Sequence, residues 1–230
     1  MSAINSKMLM PIIIESLVIA LVLFLAAGTL FWFYGWIFLI LLGIFSSPIV
    51  LWLLRHNPVL MEERERSRMG FKPDEPIWEK AYMILLGTLF SIWWISIPLD
   101  AVRFRLSQMP TWLHVVGAIV LSCSFYLVYL TFRENPYLAS EVRIQEERGQ
   151  TVVSTGPYHY VRHPLYASLL LFCLGSALLL GSWIGVLLGL LLEVGFARRA
   201  VREERVLRMG LEGYDAYMAQ VKYRLIPHVW

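Results

Sequence analysis

Charge and cysteine are both scarce in this sequence. Of its 230 residues only 16% are Asp, Glu, Lys or Arg, while 58% are hydrophobic. A soluble domain carries about 25% charged and about 45–50% apolar residues. This balance excludes a water-soluble fold and indicates a polytopic membrane protein, for which one domain suffices at this length. The two cysteines, Cys123 and Cys173, lie inside hydrophobic segments without a Cys-x-x-Cys pattern. That rules against a disulfide framework and a cysteine-built zinc site, and both read as small buried apolar residues. No His-Glu-x-x-His pattern occurs, and Pro164 argues against one helix carrying both His159 and His163. No metal ion is therefore expected. Gly-x-Gly-x-x-Gly and Gly-x-x-x-x-Gly-Lys loops are also missing, which leaves a Rossmann or P-loop nucleotide site without support in the sequence. The net charge of +3 is too small to indicate nucleic acid as a partner. Ala26-Ala27-Gly28 is a poor cleavage site after the first apolar run, which reads as an uncleaved membrane helix.

Long apolar runs are what the sequence does have. Residues 12–30, 37–54, 81–99 and 112–132 each approach the roughly 20 residues needed to cross a bilayer core. Phe31-Trp32-Phe33-Tyr34-Gly35-Trp36 predicts a tight interfacial turn between the first two runs. Pro48 predicts a kink in the second. Residues 165–197 would span about 50 Å as one helix, too long for a membrane. Gly181-Ser182 near their middle predicts a hairpin of two short helices, and Gly181, Gly185 and Gly189 form a face for close helix contact. The expected fold is an all-α membrane bundle of about 5–6 segments. Its N-terminal part is residues 1–130, and its cofactor-binding and C-terminal part is residues 131–230.

With six crossings, every Lys and Arg except Arg103 and Arg105 falls on one side. The positive-inside rule then puts both termini and the polar loop 133–163 in the cytosol. From residue 198 the chain turns polar and predicts a helix leaving the membrane. Beyond it Tyr214, Tyr217, Tyr223 and Trp230 predict a tail at the interface. The run Glu62–Arg68 reads as a solvated mixed-charge face.

Chemistry concentrates at Gly156-Pro157-Tyr158-His159-Tyr160-Val161-Arg162-His163-Pro164-Leu165-Tyr166. Polar groups at the mouth of a membrane segment are costly, and a headgroup belt does not need prolines at both ends of such a stretch. The two ends of the predicted hairpin return to one surface, so this stretch should meet the helix beginning at Arg198. On that helix Arg199 and Glu203, and Glu204 and Arg208, are spaced for weak i, i+4 pairs. Glu193, still within the hydrophobic hairpin, is either functional or reaches towards Arg198. His56 and His114 stand isolated at helix ends, without a role.

At these residues the chain resembles the isoprenylcysteine carboxyl methyltransferase family and its phospholipid methyltransferase relatives. The resemblance rests on Val142–Val153, Thr155-Gly156-Pro157-Tyr158, Arg162-His163-Pro164-Leu165-Tyr166, Arg202-Glu203-Glu204, Tyr214-x-x-Tyr217 and Ile226-Pro227. It covers about residues 130–230. It implies a membrane-embedded methyltransferase that uses S-adenosylmethionine and releases S-adenosylhomocysteine, without a Rossmann domain. Carried over, it assigns the cofactor to Gln145, Gln150, Thr151, Val152, Val153, Tyr158, His163, Pro164, Leu165, Tyr166 and Glu203 or Glu204. The cofactor's ammonium would go to Glu204, and its carboxylate to N–H groups near 150–153. Arg199, with Arg202 as the other option, would orient the acceptor. Glu203 or a tyrosine would be the base if the acceptor is an amine. The chain departs from the family pattern in two ways. The spacing from Glu203-Glu204 to Tyr214 is a residue short, which leaves the choice of glutamate open, and His159 replaces a common arginine.

The expected activity is methyl transfer to a lipophilic acceptor entering from the bilayer, first of all a prenylcysteine-type carboxylate. A phospholipid or isoprenoid N- or O-methyltransferase is the alternative. From other classes, a nicotinamide-dependent membrane reductase of the sterol-reductase type and a non-enzymatic membrane protein remain.

Overall fold

The computed structural model describes residues 6–68, 77–138 and 143–230. Val142, at the start of the family-like segment, lies outside the described residues, as do the side chains of residues 65–68 in the charged run. The described chain is all-helical, without strands. Its helices are α1 (Ser6–Ala27), α2 (Phe33–His56), α3 (Pro58–Arg68), α4 (Ile77–Pro98), α5 (Thr111–Glu134), α6 (Pro164–Leu180), α7 (Trp183–Gly210) and α8 (Tyr214–Gln220). Three are long and apolar enough to cross a membrane: α2, α4 with the turn that follows it, and α5. Ile13–Ala27 and α6 are shorter apolar helices. Large apolar side chains face outward: Leu17 and Leu25 are each 65% exposed and Leu187 68%. Such faces are expected where lipid, not water, surrounds the protein.

The hairpin forms as expected. Gly181 ends α6 at φ +87°, a left-handed conformation that favours glycine, and Ser182 caps α7 by accepting from the Gly185 N–H. Gly185 and Gly189 lie against Ile97 of α4 and Cys173 of α6, so the glycine spacing marks a real contact face. A closer approach escaped the sequence reading. A Cβ on Gly117 would strike the backbone of Leu178 and Leu179, and one on Gly175 the backbone of Leu121, so α5 and α6 touch main chain to main chain. Trp93, fully buried, donates to the Gly185 carbonyl at 2.8 Å and ties α4 to α7.

Three connections gather at one end of the bundle. Arg103 donates to the Leu25 carbonyl, and buried Asp100 accepts from Ser107 (2.6 Å), Ser182 (2.5 Å) and the Ile184 N–H at the start of α7. A carboxylate there complements the positive end of the helix. The site end holds α3, the loop from 143, and the last turns of α5 and α7.

Several expectations need correction. Phe33 to Trp36 already belong to α2, so the turn is Gly28–Trp32. The charged run is helical: Asn57 caps α3 by accepting from the Leu60 N–H, and Leu60 and Met61 are buried. His114 is buried and stacks on Tyr34, with ring centroids 3.7 Å apart. Glu193 is buried, and neither oxygen has a hydrogen-bond partner among the described residues, so it does not reach Arg198.

Candidate functional site

The site is assembled at the mouth of the α6–α7 hairpin. Asn135, just past α5, accepts from the Tyr137 N–H (2.9 Å) and donates to the Tyr158 hydroxyl (2.8 Å). The Tyr158 carbonyl accepts from the Tyr217 hydroxyl at 2.8 Å, so α8 is pinned to the Gly156–His159 turn. Gln145 is buried; its side chain donates to the Tyr137 carbonyl, and its N–H reaches the Gln150 side chain at 2.8 Å. The backbones of Arg162 and His163 donate to the carbonyls of Tyr223 and Arg224, both at 2.9 Å, strapping the start of α6 to the tail.

These elements enclose a cleft of about 890 Å³, its open mouth included. Of the expected residues, Gln150, Thr151, Val152, Val153, Tyr158, His163, Leu165, Tyr166, Arg199 and Glu203 all line it. Arg199 and Glu203 are one helical turn apart on α7 and face the same space. Glu203 accepts from the Tyr166 hydroxyl at 3.0 Å, and His163 Nδ1 lies 3.9 Å from it. Among the described residues the N–H groups of Thr151, Val152 and Val153 have no acceptor in the protein.

Four expected residues lie off the cleft. Gln145 sits behind it as a brace, and Pro164 forms the first turn of α6. Arg202 turns towards α4, where its guanidinium stacks on Trp78 and Tyr82 at 4.9 and 4.6 Å, 3.9 Å from Glu79. In this geometry it does not line the cleft that holds Arg199. Glu204 is buried and committed to the protein. Arg162 Nε donates to Oε1 at 2.6 Å, Arg224 Nε to Oε2 at 2.9 Å, and His163 Nε2 lies 3.3 Å away. Burial raises this carboxyl, but His163, Arg162 and Arg224 more than reverse the effect and hold it at about 2. With both oxygens engaged, Glu204 is not free for a cofactor's ammonium, and Glu203 is the glutamate facing the cleft.

The same cluster fixes two other side chains. Arg162 is an internal strut, since it also donates to the carbonyls of Val221 and Lys222. Arg208 pairs with Asp215 at 2.7 Å, not with Glu204. Tyr214 and Tyr217 are buried in the cleft wall, where an interfacial tail was expected. Burial raises the phenols of Tyr158, Tyr214 and Tyr217 above their ordinary range.

Asn135, Tyr137, Arg143, Leu207 and Leu211 also line the cleft and were missed. Asn135-Pro136 was a readable stop signal for α5. Leu207 and Leu211 carried no signal beyond their apolarity.

Comparison with curated proteins finds no match. The family model described as phospholipid methyltransferase matches residues 112–212, from the first turn of α5 to just past α7. The match starts earlier than the resemblance read from the sequence and stops before α8. The family-like core therefore includes α5, whose backbone packs on α6. Residues 112–212 match the phospholipid methyltransferases, and the match supports an integral membrane methyltransferase acting on lipid-type substrates.

Proposed function

We propose that the chain transfers a methyl group from S-adenosylmethionine to the carboxylate of a lipophilic acceptor of the prenylcysteine type, on the cytosolic side of the membrane. The observation that carries this reading is that Arg199 and Glu203 line one cleft together with Thr151, Val152 and Val153. The residues present fit the cofactor. Glu203, oriented by Tyr166, would take its ammonium, while the N–H groups of 151–153 suit its carboxylate. Tyr158, Tyr214 and Tyr217 give an aromatic wall for its adenine. When bound, the cofactor supplies an already electrophilic methyl on a sulfonium.

The protein's part is then position and dryness. Arg199, buried beside Tyr166, would orient an acceptor carboxylate, which needs no base. The family match favours a second acceptor, a phospholipid amine, which would have to lose a proton before it attacks the methyl. The test is transfer of labelled methyl from the cofactor into a membrane lipid extract, followed by identification of the labelled product. A base-labile methyl ester, lost in Arg199→Ala, supports the carboxylate. Label on a headgroup nitrogen supports the amine, and label nowhere overturns both.

A further inference from the structure

Helix α3 lies outside the family-matched stretch, yet it touches the loop that builds the cleft. Leu60 and Met61 bury one face of α3 in the core and fix the helix to the bundle. From that base the Glu63 carboxylate bridges two arginines, with Oε1 3.1 Å from Arg143 and Oε2 3.2 Å from Arg148. Arg64 adds a bond to the Leu138 carbonyl at 2.9 Å and stacks over Phe132, and Asn57 donates to the Pro136 carbonyl.

The contacts continue into the cleft. Arg148 donates to the Gln145 side chain at 2.6 Å and to the Pro136 carbonyl at 3.0 Å. The Gln145 N–H donates to the Gln150 side chain, and Gln150 opens the lining segment 150–153. Arg143 lines the cleft itself. An isolated surface ion pair contributes little. Here one carboxylate joins two partly buried arginines and links a fixed helix to a segment whose regular structure is the short turn Glu146–Arg148, so the network helps hold that segment in place.

We propose that α3 is a positioning element for the cofactor loop and that Glu63 is its positioning residue. Removing the carboxylate cuts the ion pairs from α3 to Arg143 and Arg148, which keep bonds to Glu147 and to Gln145 and Pro136, so residues 143–153 lose these ties to the fixed helix. This rests on the reading that the loop binds S-adenosylmethionine. The full-length protein in detergent is titrated with S-adenosylhomocysteine as wild type, Glu63→Gln and Glu63→Asp, and amide hydrogen exchange is followed without ligand. Glu63→Gln should weaken binding about tenfold and speed exchange within 143–153, while kcat at saturating cofactor is kept. Glu63→Asp, which retains the charge, should recover most of the affinity. Wild-type affinity and unchanged exchange in Glu63→Gln would overturn the proposal. So would faster exchange spread over the whole bundle, since that reports general destabilisation. If wild type binds no S-adenosylhomocysteine, the cofactor reading fails, and exchange in 143–153 still decides whether Glu63 holds the loop.

Discussion

Glu203 and Glu204 are neighbours in sequence, but a helix turns them about 100° apart, which separates their environments. Glu204 points inward to Arg162 and Arg224, while Glu203 points to the cleft. Glu204→Ala leaves a buried guanidinium unpaired and should cost roughly 3–5 kcal/mol of stability, measured by denaturant unfolding in detergent. The pH dependence has a definite sign. The folded carboxyl at about 2 lies below its ordinary 4.5, so its stabilisation is complete above 4.5 and lost as pH falls from there to about 2. Glu204→Gln should therefore be less stable at neutral pH but lose less over that acid range. Glu203→Gln should unfold nearly as wild type, yet bind S-adenosylmethionine roughly 10–100-fold more weakly, the worth of a charge-assisted hydrogen bond. The sequence could not separate the two glutamates. The partners that claim Glu204 lie 42 residues before it and 20 after it, and only folding brings them together.

At the scale of elements, the apolar runs and the Gly181 break predicted most helices, because length and hydropathy are the signals a bilayer imposes. The reading failed where another signal ruled. Asn57-Pro58 is a helix cap followed by proline at the first helical position, and it starts α3 even though charges dominate the run. The contact of α5 with α6 depends on Gly117 and Gly175, isolated glycines in two different helices, so no spacing in either one announces it. Gly117→Ala should destabilise the bundle by about 1–3 kcal/mol through forced separation of the helices. Gly43→Ala, with open space around its Cβ, should be neutral or slightly stabilising. Thermal unfolding of the two variants side by side checks the contrast.

For the whole molecule, the end holding the cleft also carries the basic residues, while Arg103 and the Gly181 turn mark the other end. Substituted-cysteine labelling in sealed vesicles should find Gln108 on the outer side and Gln150 on the cytosolic side, with reversed labelling contradicting that orientation. The cleft itself was legible because the hairpin forces the stretch before α6 back to α7. Its α8 wall and α3 strap were not, since each depends on contacts across many residues. Titration of the purified protein with S-adenosylmethionine tests the central claim most directly. One saturable site is predicted, competed by S-adenosylhomocysteine, unaffected by NADPH and weakened by Glu203→Gln. Absence of binding, or a saturable site for NADPH in its place, would contradict it.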